Sequence, residues 1–399
     1  MDITNKQWKY INEGNAHVVI RVFGTNFVVR LTKGKQNENF DQFKKSVDFV
    51  NIVMLPLLFG EHAYKEEIIE LSTSDISVLT ENLMKSRPVS RQQIVSFNKY
   101  AILAPNLTML SDGLENYCIE IKPKEGFLAN SLEKYSKCYY CLKQFLKITQ
   151  NEINRKSQYC PLNLYSGDRE RMKIALLSLI LCPQNNFKVF KNGEIVYSDS
   201  SNIDDLQTII SKTQLKSINR LIDFIATVLL SDGISNIKME ESEPINSVSN
   251  RYECKEQNNL PPNSFLYKLL YLQKLSENPV LDHLKVSSKH EYDYVTLILD
   301  KIKSHNWNLQ LQEHRTPFLA TCSSECLAMI STIARDCSIM IAFTEQYSGT
   351  PTISFDDSTM SYRIAVTDLE PKPIKTLLKR VHTENKLIKV ISDFKLTKQ

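Results

Sequence analysis

A chain of 399 residues with 42% hydrophobic and 24% charged side chains has an ordinary globular composition, long enough for two or three domains or one large two-lobed fold. Its net charge of +4 demands neither nucleic acid nor a membrane surface, so any basic site has to be local. The nine cysteines are read as reduced thiols with no zinc pattern of the CxxC type. The polar N-terminal stretch lacks a signal core and no segment reaches the length of a membrane span, which together predict a cytoplasmic or nuclear protein.

In chain order, residues 17–23 and 26–31 alternate as two strands joined at Gly24-Thr25, and an EGNA turn precedes the first. Apolar residues at helical spacing from Phe40 predict a helix stopped by Pro56. A polar segment runs to Gln93, after which YAILAPNLTML and NYCIEIKPK return to strand. From residue 131 the chain turns helical, interrupted by a hairpin at FKVFKNGEIVYS with Asn192-Gly193 as its turn. Residues 233–263 are rich in Ser, Asn and Glu, and read as a mobile insertion. FLATCSSECLAMISTIARDCSIMIAF reads as a buried helix entering a strand, and YRIAVTDLEPKPIKTLLKRVH as strand, turn and basic helix. A strand-rich first part before a helix-rich remainder predicts an α+β protein with two lobes and a ligand cleft between them.

Several motifs carry acids and lysines. In YCIEIKPK, residues two apart on a strand share a face, so Glu120, Lys122 and Lys124 are expected to point one way. In VTDLEPK, Asp368 ends an apolar strand, where a hard carboxylate suits Mg²⁺. Asp336 lies between two apolar runs, and a carboxylate there needs a partner or a function. The EGNA turn offers backbone N–H groups to phosphates, and Asn185 and Asn186 offer side-chain donors. Each also has a plain reading: a solvated edge strand, a turn-forming Asp, a buried ion pair, a hairpin, a loop. Together they are the parts of phosphoryl transfer, without a Walker A, HRD or DFG motif.

The blocks EIKPKEGFL (120–128), LYSGDRERM (164–172), CPQNNFKVFKNG (182–193), ARDCSIMI (334–341) and VTDLEPKP (366–373), in that order, resemble inositol pentakisphosphate 2-kinases. These enzymes make inositol hexakisphosphate (phytate) from the pentakisphosphate and ATP. The likeness runs from about residue 10 to 382, apart from the polar insertion. It implies a two-lobed inositol phosphate kinase distantly similar to protein kinases, with residues 1–105 covering the nucleotide and 106–399 holding ATP and inositol phosphate. Carried over, Gly14, Asn15 and Ala16 match the turn over the ATP phosphates, and Arg30 the residue reaching them. The hinge falls at Leu103–Asn106, with Asn106 toward ATP, Glu120 near the ribose and Met340 on the adenine. Asp368 matches the Mg²⁺ ligand, Asp336 the catalytic acid facing the 2-hydroxyl, and Lys122 the residue steadying the moving phosphoryl group. Substrate phosphates fall to Lys35, Arg91, Lys124, Lys147, Asn185, Asn186 and Lys372, with Lys375 and Arg380 also in reach.

The chain departs from the family at phosphate contacts more than at the catalytic pair. Tyr139 stands for an Arg, Leu142-Lys143 for Met-His, Cys160 and Asn163 for two acids, Ser90 for a Trp, and Thr376 and Arg380 for an Arg and a Tyr of plant members. Arg380, Lys375 or Lys143 are the expected compensations. These losses leave a catalytically weak or inactive inositol-phosphate-binding protein as the alternative. The two-His, two-Cys structural zinc of plant members is not expected, since no close Cys pair lies between His290 and His314. The expected ligands are ATP, Mg²⁺ and inositol pentakisphosphate, on a monomer that needs no nucleic acid and no membrane.

Overall fold

The computed structural model describes residues 6–14, 16–34, 39–88, 91, 96–133, 135–240, 243–245, 254–257, 259–276, 293–345, 347 and 349–393. Two sheets organise the α+β fold. The first holds β1 (Trp8–Glu13), β2 (His17–Val22), β3 (Phe27–Lys33), β4 (Glu67–Glu70) and β5 (Phe97–Pro105) in the order β1-β2-β3-β5-β4, with every pair antiparallel. Side chains alternate across it as a strand's period of two requires. Val29 and Leu31 pack with Leu79 and Leu83 of the helix Thr73–Ser86 on one face, and Val28 packs with Phe43 and Val47 of the helix Phe40–Phe49 on the other. Arg30 shares the face of Val28.

The second sheet holds β6 (Tyr117–Ile121), β7 (Phe187–Lys191), β8 (Glu194–Tyr197), β9 (Ile237–Lys238), β10 (Ser338–Glu345), β11 (Thr352–Phe355) and β12 (Ser358–Thr367), in the order β8-β7-β6-β10-β12-β11-β9. Its central strand β10 runs antiparallel to β6 and β12, with Ile339 opposite Ile121 and Ser338 opposite Thr367. The last residues of β6 and β12 and the first of β10 therefore meet at one edge. The largest core lies beneath, where Ile119, Ile121, Ile339 and Ile341 pack against Met172, Leu176, Phe224 and Met329 of the surrounding helices.

Four expectations from the sequence change. Pro56 does not stop the chain's first helix. A π-helical stretch, Val50–Met54, follows Phe49, and the chain continues through Pro56, the second residue of the helix Leu55–Phe59. The polar segment up to Gln93 contains β4 and the helix Thr73–Ser86, started by a capping box between Ser72 and Asp75. The buried helix before β10 is two helices, Gln312–Thr321 and Ser324–Ala334, the second capped by Ser323.

The fourth change concerns the insertion. Where it is described, it contributes a strand and makes specific contacts. β9 pairs parallel with β11, Arg171 donates to the Lys255 carbonyl, and Glu256 accepts from the Leu128 N–H. Lys173 donates to the Glu243 carbonyl while paired at 3.1 Å with Asp223, both side chains being almost fully buried. Met239, Cys254 and Leu260 add buried apolar contacts, too widely spaced for periodicity to flag.

Candidate active site

The shared edge of β6, β10 and β12 collects the acids and lysines. Lys122 directly follows β6, and its N–H donates to the Asn186 carbonyl. Its Nζ lies 3.5 Å from Asp368 Oδ2, one residue past the end of β12. The Ser338 hydroxyl, at the start of β10, lies 3.1 Å from Glu120 Oε1 and 3.0 Å from Asp368 Oδ2. It carries one hydrogen, so it donates to one carboxylate at a time. Lys188 of β7 meets the other Glu120 oxygen at 3.3 Å. Asp336, two residues before β10, takes Lys124 at 3.3 Å on Oδ1 and Lys372 at 2.6 Å on Oδ2. Burial pushes the Asp336 carboxyl up, but the charges of Lys124 and Lys372 outweigh it and hold the group below its ordinary value. Burial lowers Lys122, yet Asp368, Glu120 and Asp336 together raise it. Lys124 ends lowered, because burial exceeds what Asp336 returns.

The expected alternation of Glu120, Lys122 and Lys124 does not extend to Lys124. β6 ends at Ile121, and Lys124 has φ +61. The left-handed turn after Pro123, rather than strand geometry, carries the lysine to Asp336. Asp368 (φ +67), Gln184 (φ +46) and Asn185 (φ +61) share this costly conformation around the same edge. The surrounding structure holds it in place. Tyr159 donates to the Pro123 carbonyl, Gln273 to the Lys124 carbonyl, and Asp199 accepts from the Asn185 N–H.

Beside this edge lies a cavity of about 480 Å³, lined by eight basic side chains (Lys122, Lys124, Lys143, Lys147, Arg335, Lys372, Lys379, Arg380) and two acidic ones, Glu125 and Asp336. In a chain of net charge +4, this is a strong local concentration. Tyr140, Asn185 and Asn186 also line it. The helix Tyr139–Thr149 supplies Lys143 and Lys147 one turn apart, and Lys375–Asp393 presents Thr376, Lys379, Arg380 and Thr383 from its inward face. Burial, with Lys124 and Lys147 nearby, lowers the Lys143 ammonium. A larger groove of about 970 Å³ next door shares Lys147, Gln184 and Asn185 but reaches neither Asp336 nor Asp368.

On the other side of Lys122, Met340 sits opposite Glu120 in register and packs with Leu110, Cys118, Phe190, Ala342 and Ala365 in a small apolar cluster. Arg30 pairs with Glu66 at 2.9 Å and with Glu370, two residues past Asp368. His17 is 3.5 Å from Arg30, and burial with the Arg30 charge pushes it down to about 3, so it is neutral. The Gly14 carbonyl accepts from Lys33, and the Ala16 carbonyl from the Lys33 N–H. Asn106 follows β5, where its N–H donates to the Asn26 carbonyl and its Oδ1 accepts from Thr108.

Not every expected residue joins this constellation. Arg91 lies 3.8 Å from Glu13, itself held by the buried Arg87, and does not line the basic cavity. Lys375 is exposed and outside the lining. Arg380 lines the cavity, but its guanidinium grips Glu125 at 2.6 and 3.0 Å, meets Glu384 at 2.8 Å and lies 3.4 Å above the Tyr139 ring. The Tyr139 and Arg380 departures therefore form one stacked unit. Asn15, Lys35, Ser90 and His290 lie outside the described residues. Lys379 and Arg335 were missed as lining residues; their signal was helical spacing from Thr376 and adjacency to Asp336. One reading of the thiols also needs correcting: Cys138-Tyr139-Tyr140-Cys141 is a CxxC pair.

A family model described as inositol-pentakisphosphate 2-kinase matches residues 10–386. This chain belongs to the inositol-pentakisphosphate 2-kinase family. It is a kinase, and kinases of this family use ATP. An inositol-pentakisphosphate 2-kinase of Danio rerio is 26% identical over 451 residues, covering 96% of this chain and 92% of the relative. Its counterpart in Arabidopsis thaliana is 25% identical, covering 98% and 94%. One from Oryza sativa subsp. japonica is 26% identical, covering 85% and 76%. At such identity the family's motif blocks and the cavity chemistry carry the residue-level argument.

Proposed function

We propose that this kinase transfers the γ-phosphoryl group of ATP to the 2-hydroxyl of inositol 1,3,4,5,6-pentakisphosphate, giving inositol hexakisphosphate. The observation that carries the reading is the basic cavity with Asp336 at its wall and Lys122 leading out of it to Asp368. A substrate with five phosphates needs such a concentration of cations. A kinase needs a carboxylate where the hydroxyl arrives and a charge to steady the phosphoryl group between the two ligands.

In this reading residues 1–105 cover the nucleotide as one lobe and residues 106–399 form the second, as in distantly related protein kinases. ATP lies over the Met340 cluster, beneath the turn at Gly14–Ala16, with Arg30 toward its phosphates. The pairing of Arg30 with Glu66 supports that role, since it resembles the lysine–glutamate pair of protein kinases. The pentakisphosphate enters the cavity, and Lys124, Lys143, Lys147, Lys372, Lys379 and the Asn185–Asn186 turn take its phosphates. As Lys124 and Lys372 turn from Asp336 to phosphate oxygens, the carboxylate loses the two charges that depress its basicity. It then accepts or orients the 2-hydroxyl proton more effectively. Arg380 acts by fixing the cavity wall through Glu125 and Tyr139.

Asp368 fits a Mg²⁺ ligand. It is a hard oxygen donor, half-exposed and held in a left-handed conformation, and among the described residues only its Oδ2 is engaged. Bound there, the ion would supply neutralisation of phosphate charge. We further propose a monomer working in the cytoplasm or nucleus.

The test is incubation with ATP, Mg²⁺ and the pentakisphosphate, followed by chromatography that resolves the phosphate number. Hexakisphosphate is expected from the wild type and not from Asp336→Ala or Lys122→Ala, each still folded by circular dichroism. Tight pentakisphosphate binding without product would establish the binding-protein alternative, which the lost phosphate contacts favour and the intact Glu120–Ser338–Asp368–Lys122 network opposes.

A further inference from the structure

Gln273 ends the helix Phe265–Gln273 and lies outside all five motif blocks, yet its side chain joins three of them. It is fully buried. Its Nε2 donates to the Lys124 carbonyl at 2.9 Å and to the Ala334 carbonyl at 3.1 Å, and the Tyr165 hydroxyl is also 3.1 Å away. Its Oε1 accepts from the Gly126 N–H at 2.9 Å. A carbonyl can only accept and a backbone N–H can only donate, so one orientation of the amide serves all these partners. Tyr165 packs close beside it. A Cβ on Gly126 would lie 2.4 Å from the Tyr165 ring, so only glycine brings its N–H to the amide.

The main chain of the same residue adds to this. The Gln273 carbonyl accepts from the Ser331 hydroxyl at 2.6 Å, and from Arg335 Nε and Nη2 at 3.0 and 2.9 Å. The Arg335 guanidinium also lies 4.8 Å from the centre of the Phe127 ring. Gln273 therefore grips the segment leading into Asp336 twice, at Ala334 and at Arg335. It grips the Lys124 turn twice as well, at the Lys124 carbonyl and at the Gly126 N–H.

We propose that Gln273 is a positioning residue, whose side-chain amide sets the Lys124 turn against the Asp336 turn and so places both groups for phosphoryl transfer. The proposal rests on the kinase reading of Asp336 and Lys124. Three observations carry it. Lys124 sits at φ +61, which its surroundings have to hold, and Gln273 bonds its carbonyl. Ala334 is the last residue of its helix, where carbonyls have no partner within the helix, and Gln273 takes that carbonyl two residues before Asp336. One amide thus spans two backbone segments whose side chains meet at 3.3 Å. The third is the choice of side chain. A buried amide is costly unless its polar atoms are bonded, so packing alone would favour a methionine of similar size. Chemistry that works by positioning is sensitive to such a spacer.

The test is a pair of double-mutant cycles on the full-length chain, with folding of each variant checked by circular dichroism. Gln273→Met keeps the volume and removes every side-chain hydrogen bond. It should lower kcat for pentakisphosphate phosphorylation roughly a hundred-fold. In an Asp336→Asn background, followed under enzyme excess, the same substitution should cost less than about three-fold, because the group it places is already gone. A residue that only supports the fold would cost the same factor in both backgrounds. The second cycle reads the pentakisphosphate Kd by calorimetry, where Gln273→Met should weaken binding in the wild type and not in Lys124→Met. Should Gln273→Met fail to fold, Gln273→Glu enters the same cycles. It keeps the shape and the acceptor and, as a neutral acid, donates one hydrogen where the amide donates two. Wild-type kcat in a folded variant, or equal costs with and without Asp336 and Lys124, would overturn the proposal. A wild type that binds the pentakisphosphate without forming hexakisphosphate would overturn the kinase reading instead, and the binding cycle then decides the positioning role. One that does neither overturns both.

Discussion

Asp336 with Lys124 and Lys372, and Asp223 with Lys173, are the same chemical unit at similar distances: 3.3 and 2.6 Å in the first case, 3.1 Å in the second. Burial separates them. The Asp336 carboxylate is 60% exposed at the cavity wall, whereas Asp223 and Lys173 are 4% and 2% exposed between two core helices. An open pair gains little from its own attraction and exchanges easily for a stronger anion. A sealed pair stabilises little over apolar packing, but breaking it strands a charge in low dielectric. The first arrangement suits a binding site; the second registers the fold.

Substitution should therefore have opposite consequences in the two places. The largest expected effect is Asp336→Asn, which should lower kcat by roughly 10²–10⁴-fold in steady-state assays with little change in melting temperature. Asp223→Ala should do the converse, destabilising by about 3–5 kcal/mol in urea titration, with kcat at low temperature near wild type. If Asp223→Ala instead left stability intact, the contrast in burial would carry no energetic meaning.

Glu125→Ala tests an intermediate case, since Glu125 is buried and holds Arg380 with two hydrogen bonds. A loss of about 2–4 kcal/mol is expected, together with a raised KM for the pentakisphosphate as the Arg380–Tyr139 stack loosens.

A smaller effect concerns pH. Lys124 and Lys372 hold Asp336 below its ordinary value, so the carboxylate is ionised at neutral pH and whatever stability it contributes is lost only as pH falls through that lowered value. In Lys372→Met the acid limb of kcat/KM should move upward, because one of the two charges that depress Asp336 is gone. An unmoved or downward limb would remove Asp336 as the titrating base. Least affected should be Lys375→Ala, an exposed position off the cavity, within about 0.5 kcal/mol in stability and unchanged in KM.

Much of the site was legible in the chain because its chemistry lies at strand ends. Glu120, Lys122, Asp336 and Asp368 lie at the ends of apolar strand-forming runs, and one antiparallel register brings those ends together. The illegible parts share a cause. The insertion is held by polar contacts of Arg171, Lys173 and Glu256 and by isolated core residues, Met239, Cys254 and Leu260, too far apart to leave a hydrophobic period. Lys124 reaches Asp336 through a left-handed turn that no alternation predicts.

The amino-acid order by itself determined most of the strands and helices around the site and which side chains could bear charge or ligate a metal, because those depend on local spacing. Which of them meet was decided only by the tertiary structure. It gathered lysines from two helices and two turns into one cavity, engaged Arg380 with Glu125 and left Lys375 in solvent. It also drew four thiols from three segments to within 4.8 Å of one another. Contacts between distant segments arise from burying a common core, and no local window contains that information.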